Sequence, residues 1–444
     1  MKEFKLTISM FSRETGMSLK NNSKDVPVLL CLTYLILLPF NIGIGGHLYL
    51  HDCVAIMFVF AFAKWKEVFY SIPEMRSYYL FIFLSMASLS TLINLQNLRD
   101  IYELLVFGYV VFIFLFFSAT RIPSKILLYY GLSVLICMLG YEAYQFYTGV
   151  GDIYKVYEDT PLDFISKRYF FTFNHPNLTG SFYSLPILCL LLGGKEFISN
   201  MNPKRLIMFS GLIFVLCIPL CMTVSKHMLI SMSIIAAAAS FYPAINKSFI
   251  CRFLIFSSLI MSAIIFYATV LYPVFPLDRT FPFINVKTCG MYMIHQTIYF
   301  KIIFSSVHSF FLGTGMSGIV ENYPLLADHD LIMSVLQQYR QENLSGIFSR
   351  YMDAHNEYLN IGALFGVPAM LSMYLFWFKA PSSTNSRFSF EKRIILFYVA
   401  SIFIVSLWDD ILSKRWIWIS LGILLSQMYN NPPSGEGEKE GPRK

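Results

Sequence analysis

Asp353, His355, Asn356 and Glu357 stand together just ahead of a long apolar run. A titratable imidazole with an acid on either side is costly to place at the mouth of a hydrophobic helix. If Asp353 caps the helix that follows, His355 falls in its first turn, where the positive end of the helix dipole favours the neutral imidazole. A neutral imidazole at a membrane–water boundary suits a general base; the same residue can also be a plain interfacial anchor. Asn356 and Glu357 either orient the imidazole or a substrate hydroxyl, or solvate the helix start. Gly362 and Gly366 are spaced to let a neighbouring helix approach, which is a packing role.

Cations form the second group. Ser225-Lys226-His227 and Lys414-Arg415 stand at the ends of apolar runs, and Lys167-Arg168 precede Phe173-Asn174-His175-Pro176-Asn177. Such residues snorkel as anchors, or they converge on a diphosphate and offset its charge as it leaves. Asp409 and Asp410 are close enough in sequence to pair with Lys414 and Arg415, which would make that corner structural. The histidines are spread, with no H-E-x-x-H and no paired cysteines, so no metal site is expected. Asp328-His329-Asp330 reads as solvated loop. Gly313-Thr314-Gly315-Met316-Ser317-Gly318 spells G-x-G-x-x-G, but no strand precedes it, and a glycine turn ending a helix is the expectation. There is no P-loop, and no cofactor is expected.

The elements that must position these residues are membrane helices. Of 444 residues 56% are hydrophobic and 14% charged, with 43 Phe and a mean hydropathy of +0.57. A soluble domain carries about 25% charged residues. Apolar runs of about 17–24 residues recur along the chain, too long for barrel strands. About twelve spans are expected, near 27–46, 48–63, 78–95, 101–118, 124–147, 176–193, 205–222, 227–243, 249–272, 357–377, 391–408 and 416–430. Cys31, Cys137, Cys189, Cys217, Cys221 and Cys251 fall inside these runs as small hydrophobes. The net charge of +7 comes from short interhelical breaks, so it sets topology rather than nucleic-acid binding. With the N-terminus inside, about two thirds of the 34 Lys and Arg face the cytoplasm.

The expected division is therefore a cytoplasmic segment 1–26 without a cleavable-signal pattern, spans 1–9 over 27–272, and a large outer loop over 273–356. Spans 10–12 follow over 357–430, then a disordered cytoplasmic tail, 431–444. Within the loop, residues 295–312 show polar positions at helical spacing (Thr297, Lys301, Ser305, His308), as in an amphipathic helix on the outer surface or roofing the bundle. Inner loops are short, so chemistry belongs on the outer face. A twelve-span transporter is the competing class. It would favour two similar halves and mid-membrane charges, whereas the chain shows no internal repeat and its charged residues cluster at the span ends, with Glu103 and Glu142 within or near spans.

His355-Asn356, followed nine residues on by Gly366-Val367-Pro368-Ala369, resembles the His-Asn…Gly-x-x-Gly signature of the O-antigen ligase and O-antigen polymerase superfamily. The resemblance runs over about 173–418. It includes Asn174-His175-Pro176-Asn177, Thr223-Val224-Ser225-Lys226, the loop helix with its glycine turn, and Asp409…Arg415. It implies a metal-independent bacterial inner-membrane glycosyltransferase of about twelve spans, with both termini cytoplasmic and the site facing the periplasm. The donor would be an undecaprenyl-diphosphate-linked glycan. The acceptor would be lipid A–core for a ligase, the preferred reading, or another lipid-linked glycan for a polymerase. His355 would take the acceptor proton; Lys226, His295 and Arg415 would face the diphosphate. Ala369 replaces the signature's last Gly, and Lys226 and His295 stand where the family usually has Arg.

Overall fold

The computed structural model describes residues 25–40, 43–45, 48–61, 74–148, 154–156, 167–169, 173, 176–195, 208, 211–212, 215–216, 220, 225, 227–241, 286–327, 354–383, 390–407 and 409–429. They are helical apart from two short antiparallel ladders, β1–β2 (Gly43–Gly45 with Leu48–Tyr49) and β3–β4 (Tyr154–Val156 with Lys167–Tyr169). The expected all-α architecture holds. The helices are α1 (Asp25–Leu37), α2 (Leu50–Ala61), α3 (Glu74–Ile93), α4 (Leu98–Ala119), α5 (Ser124–Thr148), α6 (Pro176–Phe182), α7 (Ser184–Gly193) and α8 (Met228–Phe241). They continue with α9 (Val286–Ile303), α10 (Val307–Leu312), α11 (Gly315–Leu326), α12 (Glu357–Phe365), α13 (Val367–Lys379), α14 (Phe390–Ser406) and α15 (Arg415–Tyr429). The expected span near 249–272, most of that near 205–222, most of the loop outside α9–α11, nearly all of the N-terminal segment, and the tail lie outside the described residues.

Among the described residues, Leu98–Ala119 and Ser124–Tyr144 are long and apolar enough to cross a membrane. Val26–Phe40, Tyr78–Ile93, Asn177–Gly193 and Met228–Ala238 are apolar but shorter. Three expected continuous helices are interrupted. The run 357–377 divides at Gly366, whose φ of +90° no L side chain adopts cheaply and which Pro368 follows at the start of α13. The run 176–193 divides at Tyr183. The amphipathic helix expected over 295–312 begins earlier, at Val286, and stops at Ile303; Ser306 then caps a new short helix by accepting Ser309 N–H at 2.9 Å.

Many polar contacts between distant elements join groups near helix ends, although Tyr34 and Tyr109 meet well inside theirs, at 3.1 Å. At one end Lys195 Nζ meets Glu391 Oε1 at 2.7 Å, and Gln427 Nε2 donates to the Ile122 carbonyl at 2.7 Å. The other end gathers Asp52, Asp100, Asn177, His227, His295, Glu357 and Asp409. Between them lies an apolar middle in which Phe114, Phe376, Trp377 and Trp418 pack edge and face, with Phe114–Phe376 centroids 5.3 Å and Trp377–Trp418 centroids 5.2 Å apart. Close helix approach depends on missing side chains. A Cβ on Gly131 of α5 would stand 2.5 Å from the Pro186 carbonyl oxygen of α7.

Candidate functional site

The cap of α12 is Asn356. Its backbone is extended (φ −155°, ψ 110°), and its Oδ1 accepts the Leu359 N–H at 3.1 Å. A short amide side chain at this position satisfies an orphan N–H of the first turn. His355 therefore precedes the cap and does not belong to the first turn, which corrects the expectation of an Asp353 cap; Asp353 itself lies outside the described residues. His355 is the one non-glycine residue with positive φ (+46°) among the described residues. A left-handed backbone is uncommon for such a residue and persists where surrounding structure holds it. Its side chain is half-buried, and its ring centroid lies 6.3 Å from that of His295.

Asn356 and Glu357 are buried and committed to the loop that joins α14 to α15. Asn356 Nδ2 donates to the Leu407 carbonyl at 3.0 Å, and Glu357 Oε2 accepts the Leu412 N–H at 3.0 Å. The loop is thus bonded to the start of α12 at both of its ends. These bonds make both residues fasteners of the loop. Trp418 Nε1 holds the same loop by donating to the Leu412 carbonyl at 2.6 Å.

Over this corner lie α9 and α11. His295 is fully buried and its Nδ1 hydrogen-bonds the Tyr323 hydroxyl. Burial, reinforced by the neighbouring charge of His355, pushes its pKa down from 6.5 to about 4. His295 is neutral at pH 7, so the expectation that it offsets diphosphate charge is not met by its surroundings. The roof is locked to α12 through backbone contact. Thr314 N–H donates to the Ala363 carbonyl at 2.8 Å, and Ser90 Oγ bonds the carbonyls of Leu364 (3.0 Å) and Leu312. Gly313 (φ +68°) abuts the Leu364 carbonyl and Gly366 (φ +90°) abuts the Phe311 carbonyl, so neither position has room for a Cβ. The glycine turn ends α10, as expected, and also starts α11.

Lys226 lies outside the described residues. Arg415 stands at the start of α15, but its Nη1 donates to Asp52 Oδ1 at 2.5 Å and contacts His51 Nε2. Its guanidinium sits over the rings of Tyr49 and Tyr109, at 5.3 and 5.6 Å. Asp52 also accepts the Tyr109 hydroxyl at 2.6 Å and the Tyr49 N–H at 2.8 Å. The partner of Arg415 is thus α2 rather than Asp409 or Asp410. The signal was present in the sequence: His51-Asp52 interrupts an apolar run, where an acid needs a partner. Lys414 does pair with Asp410, at 2.8 Å. Burial raises the Asp410 pKa, and the Lys414 charge only partly offsets it. Lys414 is depressed by burial but raised further by Asp410, and ends above its ordinary value. Glu103 lies within electrostatic reach of Asp410, Arg99 and Lys414.

A further cluster joins three segments. Asn177 Nδ2 donates to Asp409 Oδ2 at 3.0 Å, and Ser225 Oγ donates to Asn177 Oδ1 at 3.0 Å. His227 Nδ1 meets the Asn177 carbonyl at 2.7 Å, and its Nε2 stands 3.1 Å from Asp409 Oδ2. Among the described residues no three His, Cys, Asp or Glu side chains converge as a metal site would require. Comparison with protein-family models, curated proteins and solved structures returns no match to this chain.

Proposed function

We propose that this chain is an inner-membrane O-antigen ligase of about twelve spans. It would move a glycan en bloc from undecaprenyl diphosphate to a lipid A–core sugar at the periplasmic face, with both termini in the cytoplasm. The observation that carries the reading is His355: half-buried, left-handed in backbone, and held at the bundle end where the polar contacts gather. The acceptor oxygen forms its bond to the anomeric carbon while the bond from that carbon to the phosphate oxygen breaks. The bonding pair leaves with the lipid diphosphate, and the acceptor proton passes to His355. Lys226 and Arg415 offset the leaving charge, Arg415 from its anchor on Asp52. Neutral His295 contributes shape and hydrogen bonding beside His355. Asn356 and Glu357 hold the imidazole in place. The apolar middle of the bundle supports a bilayer setting.

The test is transfer by the purified chain onto two acceptors. Lipid A–core should be glycosylated; lipid-linked ladders without attachment to core would replace the ligase reading by a polymerase. Transport of the lipid-linked glycan without any glycosidic product would overturn both. His355→Asn is the informative variant. Asn tolerates a left-handed backbone better than Ala, so the fold should be kept and transfer lost by at least about a hundredfold.

A further inference from the structure

We propose that His227 and Asp409 are positioning residues for His355, acting through the 407–412 loop as a latch. This rests on the transfer reading of His355. Both side chains are buried, and the latch ties Asn177 of α6 and His227, the residue before α8, to Asp409 within the loop. The loop then grips the start of α12 twice, through the Leu407 carbonyl to Asn356 and the Leu412 N–H to Glu357. His355 is the residue immediately before that doubly held start. His355 stands outside α12 and next to its cap, so a shift of Asn356 carries the His355 backbone with it. Displacing Asp409 would loosen the Leu407 side of the loop, while Trp418 still holds Leu412, and so shift Asn356 and with it the imidazole. The latch also gives a role to Asn177 and Ser225, which extend it from Asp409.

Asp409→Asn removes the charge facing His227 while retaining an oxygen for Asn177. His227→Gln leaves one donor where the imidazole faced two groups. Both are tested as full-length chains in lipid nanodiscs. The kcat of transfer should fall by about tenfold or more with the donor KM within about twofold, the mark of misplacement at the reacting centre. Diethyl pyrocarbonate modification, followed on the His355 peptide by mass spectrometry, should be at least about threefold faster as the loop loosens. Unchanged kcat and unchanged His355 reactivity in the folded variants overturn the latch. The labelling rate reads His355 without any turnover, so inactivity of the unmodified chain would overturn the ligase reading and leave the latch decided by labelling. Should Asp409→Asn fail to fold, His227→Gln carries the same two readouts.

Discussion

The carboxylate of Asp100 occupies the first turn of the helix that begins in the glycine-rich stretch, bonding Ser317 twice: the backbone N–H at 2.7 Å and the hydroxyl at 2.7 Å. It also accepts the N–H groups of Gln96 and Asn97, at 3.1 and 3.2 Å. A helix N-terminus attracts an anion, and here the anion is supplied by the chain itself. The G-x-G-x-x-G pattern is thus used to dock the loop between α3 and α4 onto the roof of the His355 corner.

Asp100→Asn should cost about 2–3 kcal/mol, the range for losing charge-assisted bonds at a buried carboxylate. Burial pushes the Asp100 pKa up, but the four hydrogen bonds, led by the Ser317 hydroxyl, outweigh it and hold the group below 3.8. Its contribution is fully present above the unfolded value and is lost as pH falls through the folded one. Thermal unfolding of the detergent-purified chain should show the gap to Asp100→Asn closing below about pH 4.

For His295 the sign is reversed in cause but not in direction. The unfolded imidazole takes a proton near 6.5 and the folded one only near 4. Stability from this site is therefore complete above pH 6.5 and lost as pH falls toward 4, a change on the order of 3 kcal/mol. His295→Gln should flatten that slope in a pH series of unfolding midpoints. His295→Arg should reduce folded yield without tightening the donor KM, because no charge is accommodated there.

Gly366→Ala should be among the most damaging single changes, at about 2–4 kcal/mol. The new methyl group meets the Phe311 carbonyl, and the backbone is left-handed. Size-exclusion profiles and unfolding midpoints check it; a variant as stable as the original would refute the backbone lock between the roof and α12.

Arg415→Lys should cost about 1–3 kcal/mol, because an ammonium neither stacks on Tyr49 and Tyr109 nor keeps the planar donor edge facing Asp52. A double-mutant cycle with Asp52→Asn should give a coupling of about 1–2 kcal/mol. Additive costs would show that the pair does not interact.

Much of this organisation was legible in the sequence. Composition gave the helical class, hydropathy gave the starts of α4, α5, α8 and α14 to within a few residues, and the order His355-Asn356 ahead of an apolar run marked the corner. The Lys414–Asp410 pair was among the expected partners because neighbours four apart on a turn meet. The break at Gly366 is not legible in hydropathy because apolar content does not report a backbone angle.

What only the tertiary structure decided is which partner each polar group takes. Arg415 is claimed by Asp52, more than 300 residues away in the chain, and Asn356 and Glu357 are claimed by backbone groups of 407–412. His295 is neutral because it is buried, a property of its surroundings rather than of its type. Sequence determines that a polar group placed among apolar helices must be satisfied. The choice among candidates belongs to packing, because side chains far apart in the chain compete for the same few buried donors and acceptors.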